Sequence, residues 1–158
     1  MGRNVVGCGP SGTFREDTPM FLGEYEYSLD QKGRVAIPAK FRGGFKAGLV
    51  LARGFEKCIR VFPLNEWTKT AEKLIALPIT ETGSRRLNRS LFSSAFSLEL
   101  DGQGRVLLPQ PLRDYAEIRE AVVIAGLYSV LEIWSREHWD TEKDLMAGSM
   151  EQIPVGTI

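Results

Sequence analysis

The sequence predicts an α+β fold built from two tandem β-rich modules, each followed by helices. The first observation behind this is a repeat. Asp30-Gln-Lys-Gly-Arg-Val-Ala-Ile-Pro-Ala-Lys-Phe-Arg42 returns as Asp101-Gly-Gln-Gly-Arg-Val-Leu-Leu-Pro-Gln-Pro-Leu-Arg113, with Asp, Gly, Arg, Val, Pro and the final Arg at matching offsets. Gly54 and Trp67 find Gly126 and Trp139 in a register shifted by one inserted residue. The second observation is a set of short alternating or β-rich runs in both copies, and the third is helical apolar spacing after each set. A module of this kind does not easily close a core alone, so two copies in one chain form a built-in pseudo-dimer.

The elements follow in order. Glu24 to Leu29 alternates polar and apolar residues, the period of a half-buried strand. Asp30-Gln-Lys-Gly33 interrupts it, with a glycine where a tight turn wants positive φ. Arg34 to Ile37 is a second short strand, and Pro38 starts a short helix ending near Gly43 and Gly44. Leu49 to Ala52 and Ile59 to Phe62 are two more strands. Leu64, Trp67, Ala71, Leu74 and Ile75 then recur at helical intervals, and Pro78 stops that helix. A helix from Thr82 to Ser93 follows. This helical pair reads as a connection between the halves with no need to join either sheet core.

The second copy repeats the plan. Strands are expected at Phe96–Leu100, Arg105–Leu108, Ala121–Ala125 and Val130–Trp134, with a short helix over Pro109–Ala116. Ser135 is the expected N-cap of a last helix reaching about Ala147. The chain thus divides into a flexible leader at 1–19, a first repeat with its helix at 20–78, a linking helix at 79–94, a second repeat with its helix at 95–147, and a tail at 148–158. Met20 is an alternative translation start, which would make the leader an upstream extension.

Bulk properties narrow the function. The 158 residues are 43% apolar and 25% charged, which suits a soluble globular protein. Cys8 and Cys58 have neither metal-ligand nor framework spacing, pointing to free thiols in a reducing compartment. No apolar run has the length of a spanning helix or a signal peptide, so a cytosolic protein with no membrane partner is expected. A formal net charge of zero argues against a generic polyanion binder, yet Gln31 to Phe55 carries six cations and no acid.

Several motifs carry little. Gly7-Cys-Gly9-Pro-Ser-Gly12 matches a dinucleotide fingerprint formally, but no βαβ unit fits around it. His138, the lone histidine, reads as a surface or packing residue. Glu24 and Glu26 alternate on one strand without a pocket, as a solvated face does. No Cys/His cluster suggests a metal, and neither an enzyme nor a cofactor is expected.

The Asp-x-x-Gly-Arg element remains. Asp30 and Asp101 can accept N–H bonds within their own turns, and Gly33 and Gly104 can relieve strain. Arg34 and Arg105 follow each turn glycine, where a guanidinium either pairs with the nearby Asp or projects outward. An oriented planar fork suits guanine O6/N7 or phosphate oxygens.

From Met20 to about Leu145, these doubled motifs and the two tryptophan helices make the chain resemble the bacterial MraZ family, within the AbrB-like swapped-hairpin group of DNA-binding transcription factors. The resemblance implies two tandem swapped-hairpin AbrB-like β modules forming an intrachain pseudo-dimer barrel with flanking helices. It also implies a repressor of a division and cell-wall gene cluster that binds short direct repeats in promoter double-stranded DNA, associates with the nucleoid and assembles as a ring-like homo-oligomer, often an octamer. The family's DNA-contact motif falls on Asp30, Lys32, Gly33 and Arg34. The second copy keeps Asp101, Gly104 and Arg105 but has Gln103 in place of the lysine. The competing reading is a protein-interaction or antitoxin-like assembly module without direct DNA readout.

Overall fold

A computed structural model describes residues 20–154 and 156. The leader at 1–19, with Cys8 and the Gly7–Gly12 motif, lies outside the described residues. The first half runs through β1 (Glu24–Ser28), β2 (Arg34–Ala36), a 3₁₀ segment (Ala39–Phe45), β3 (Leu49–Arg53), β4 (Ile59–Pro63), α1 (Leu64–Ile75) and α2 (Thr82–Ser93). The second continues with β5 (Phe96–Leu98), β6 (Arg105–Leu107), α3 (Gln110–Ala116), β7 (Ala121–Leu127), β8 (Val130–Ser135) and α4 (Arg136–Gln152).

Strand chemistry follows burial. β1 turns Tyr25 and Tyr27 inward and its other residues to solvent, whereas β3 and β8 are buried along nearly their whole length. Eight strands form two antiparallel sheets, one in the order β1-β7-β8-β4-β3-β5 and one of β2 with β6. The first strand of each half pairs with the third strand of the other: β1 with β7, and β5 with β3. Equivalent strands meet at the centre, β4 against β8 and β2 against β6. The six-strand order therefore maps onto its own reverse when the halves are exchanged.

Leu51, Ile59, Val61, Ile124, Leu131 and Ile133 of the large sheet share one core with Val35 and Val106 of the small one and with Ile37 and Leu108 just beyond its strands. The expected barrel is not closed, because among the described residues no ladder joins the two sheets. β2 and β6 are three residues long and satisfy each other, and Pro38 and Pro109 lie just beyond, where they supply no N–H to extend the pairing.

Two helical expectations are also corrected. The α1–α2 pair does more than connect the halves: Trp67 packs edge-on against Phe62 at 5.1 Å and against Phe92 at 5.8 Å. Val50, Ala52, Phe62 and Val130 form a second cluster beneath it. Asn88 Nδ2 donates to the Leu74 carbonyl at 3.1 Å, tying the two helices together. Helix α4 starts as expected, with Ser135 Oγ accepting from the His138 N–H at 3.1 Å, but it runs on to Gln152. Gly148 costs an exposed helix only about 1 kcal/mol, and the effective stop is Pro154, which holds Ile153 extended at ψ 124°.

Leu51→Ala in β3 and Ile133→Ala in β8 each remove a fully buried side chain and should each lower unfolding free energy by about 2–5 kcal/mol. Because the halves exchange strands, urea denaturation followed by tryptophan fluorescence and by circular dichroism should give one coincident transition. Two separated transitions would show the halves to be independent.

Candidate nucleic-acid interface

The small sheet presents the repeated motif at both of its ends. Its register pairs Arg34 with Leu107, Val35 with Val106 and Ala36 with Arg105. Alternation buries both valines and turns Arg34, Ala36, Arg105 and Leu107 away from the core. The two arginines thus share one outward face.

Each turn is closed by its own aspartate. Lys32 N–H and Arg34 N–H donate to Asp30 Oδ1, both at 2.9 Å, and Arg34 Nε donates to Oδ2 at 2.7 Å. The second copy repeats this: Gln103 N–H and Arg105 N–H donate to Asp101 Oδ1 at 2.9 Å, and Arg105 Nε to Oδ2 at 2.9 Å. Gly33 N–H and Gly104 N–H donate back to the Asp30 and Asp101 carbonyls at 3.0 Å. Both glycines are left-handed, at φ +81° and +76°.

The alternatives for the arginines, internal pairing or outward projection, are met together. Each guanidinium is anchored through Nε while 28% of the side chain stays exposed. Among the described residues, the Nη atoms make one further approach to an acid, Arg105 Nη1 to Asp30 Oδ2 at 4.0 Å. The backbone N–H of Arg34, aided by its guanidinium and by the Lys32 N–H, holds the Asp30 carboxyl below the usual range while partial burial opposes. The same groups of Arg105 and Gln103 do this for Asp101.

Two further arginines complete the ends of the sheet. Arg42 Nε donates to the Ile37 carbonyl and Arg113 Nε to the Leu108 carbonyl, both at 2.9 Å. Each then crosses to the other copy's turn. A Cβ at Gly33 would lie 2.9 Å from Arg113 Cζ and 3.1 Å from both Nη atoms, and one at Gly104 would lie 2.1 Å from Arg42 Nε. Sequence reasoning gave these two residues no role. The available signal was their identical offset at the end of the repeated motif.

Comparison with known proteins decides the family. The family profile described as "MraZ protein, putative antitoxin-like" matches twice, over residues 20–90 and 91–152. The chain belongs to the MraZ family. A "Transcriptional regulator MraZ" of Herpetosiphon aurantiacus is 50% identical over 81% of this chain and 90% of its own length. Those of Natranaerobius thermophilus and Dehalococcoides mccartyi are 47% and 50% identical, over 85% and 78% of this chain and 94% and 88% of their own lengths. The family consists of transcriptional regulators, not enzymes.

Groups elsewhere in this MraZ-family chain are engaged internally. Glu24 accepts from Trp139 Nε1 and, at 2.9 Å, from Lys143 Nζ, while Arg136 reaches Glu26 at 3.0 Å, so the two carboxylates dock α4 on β1. His138 Nε2 faces Glu117 Oε2 at 3.1 Å at the surface. Glu56, Cys58 and Glu132 form the one metal-compatible trio among the described residues. Burial pushes the Cys58 thiol up, and Glu132 already accepts from Trp134 Nε1 at 3.1 Å. No helix among the described residues is long and apolar enough to cross a membrane.

Two outcomes test the turns. A carboxyl whose folded pKa is depressed stabilises the fold above its unfolded value, near 3.8, and loses that contribution as pH falls through the lower folded value. Melting temperature should therefore drop more steeply below about pH 4 in the wild type than in Asp30→Asn/Asp101→Asn. Separately, Gly33→Ala and Gly104→Ala should each destabilise by about 1–2 kcal/mol from the left-handed backbone alone. Denaturant titration should show the larger loss at Gly104, where the added methyl meets Arg42 most closely.

Proposed function

We propose that the chain is a sequence-specific double-stranded-DNA-binding repressor of a division and cell-wall gene cluster, acting on short direct promoter repeats. In this reading the halves are two swapped-hairpin AbrB-like repeats, at 20–78 and 95–147, paired as an intrachain pseudo-dimer through the linking helix at 79–94. The observation that carries it is the pair of Asp-closed turns on one outward face, each holding an arginine through Nε with its Nη edge available.

The chemistry is direct. The major groove admits a two-stranded ribbon, and a fixed guanidinium fork matches guanine O6/N7. Arg34 reads base edges, Lys32 neutralises a phosphate, Asp30 orients Arg34, and Gly33 lets the turn form. Asp101, Gly104 and Arg105 do the same at the other end without the lysine. Fixing each fork before binding removes much of the rotamer entropy lost on contact. One or two such contacts, each worth roughly 1–3 kcal/mol, do not make tight binding. Affinity then comes from several subunits engaging repeated boxes, in a ring-like homo-oligomer such as an octamer. Such a protein works in the cytoplasm on the nucleoid.

Arg34→Ala should abolish preference for the DNA upstream of the chain's own gene, measured by mobility shift and footprinting, while unfolding free energy stays within about 0.5 kcal/mol. Wild-type log K should fall steeply with log salt, by roughly 0.9 per neutralised phosphate. An antitoxin-like assembly module would instead purify free of nucleic acid and leave its upstream DNA unshifted.

A further inference from the structure

Arg42 and Arg113 stand out because their surroundings explain only part of their chemistry. Each is half-buried, yet among the described residues neither has a carboxylate within 4.0 Å. Each spends Nε on a backbone carbonyl, of Ile37 and Leu108 respectively. Those two residues are themselves tied to the opposite turns, Ile37 N–H donating to the Gly104 carbonyl and Leu108 N–H to the Gly33 carbonyl, both at 2.9 Å.

The near-equal approach of Arg113 Cζ, Nη1 and Nη2 to a Cβ position at Gly33 shows the guanidinium lying face-on to the turn. Its face is covered and its Nε proton is used. What remains is the in-plane Nη edge, with hydrogen-bond capacity and full charge. Buried nitrogens without a hydrogen-bond partner occur among the described arginines at Arg53 and Arg60 and not at these two residues, so their Nη atoms reach solvent. A planar edge held in one orientation, charged and without an acid, fits two oxygens of one phosphodiester.

Position supplies the second half of the argument. Arg113 lies over the turn that carries Lys32 and Arg34, and Arg42 over the turn that carries Arg105. We infer that Arg42 and Arg113 contact phosphates of duplex DNA, each completing the reading turn of the opposite copy. Each end of the small sheet is then a composite site: a base-reading arginine from one half beside a phosphate-binding arginine from the other. This rests on the DNA-binding reading above and extends it to residues outside the family motif. Phosphate contacts fix register and orientation on the duplex without carrying sequence information.

The test uses the full chain with two fluorescent duplexes, one from upstream of its own gene and one of the same length with scrambled sequence, across a salt series. Arg42→Ala and Arg113→Ala should weaken binding to both duplexes by a similar factor, roughly tenfold, leaving their affinity ratio unchanged. The slope of log K against log salt should flatten by about 0.9 for each phosphate that the variant no longer neutralises. Arg113→Lys keeps the charge without the fork, so it should retain the wild-type slope at reduced affinity; it decides the matter if the alanine variant fails to fold. Wild-type affinity and slope in folded variants would overturn the inference. So would a collapsed affinity ratio at unchanged slope, which would make these arginines positioning residues only. If the wild type itself shows no preference between the duplexes and Arg34→Ala changes nothing, the DNA-reading function fails. If Arg34→Ala loses the preference while Arg42→Ala and Arg113→Ala match the wild type, only the present inference fails.

Discussion

The antiparallel pairing of β2 with β6 is the contact on which the rest of the structure depends. Val35 and Val106 face each other across it and are almost wholly buried. Because strand side chains alternate, burying that pair turns Arg34 and Arg105 outward together. A one-residue slip would send the arginines into the core and the valines into water. Apolar burial thus sets the orientation of the polar face, and no interaction between the arginines themselves is needed to align them.

The turns refine what the register begins. Each aspartate accepts two backbone N–H bonds on one oxygen and its arginine's Nε on the other, so the carboxylate that shapes the loop also orients the side chain leaving it. Stabilisation from such exposed pairs is small. Their effect lies in restricting the guanidinium to one direction before any ligand arrives. The copies are not identical in this respect, since Arg105 Nη1 also leans to within 4.0 Å of Asp30 and Leu107 stands on the outward face where the first copy has Ala36.

Much of this was legible in the sequence, for local reasons. The repeat is a direct match of letters between two segments, and the strand positions, the turn glycines and the Ser135 cap depend on residues within a few positions of one another. What was not legible depends on pairing at long range. Alternation marks β1 as a strand but does not say that Tyr25 faces Ile124 of the other half. It also does not say that the two sheets stay separate, or that Trp67 finds Phe92 and gives the α1–α2 pair a core of its own. Arg42 and Arg113 were visible as repeated letters. Their meaning lay in glycines 62 and 80 positions away, across the exchange of strands.

Duplication ordinarily frees one copy to change while the other keeps the original role. The crossed contacts limit that freedom here in a specific way. Gly33 must leave room for Arg113, and Gly104 for Arg42, so a change in one half is felt at the turn of the other. Two differences between the copies leave these turns intact. Gln103 replaces Lys32 at a position whose backbone N–H alone serves the turn, and Leu107 replaces Ala36 on the outward face. The helices after the fourth strands also differ: α1 buries Leu74 against its neighbours, whereas α4 has no buried residue and is held to β1 by Glu24 and Glu26. Each end of the small sheet is built by both halves, so neither copy alone carries a complete end.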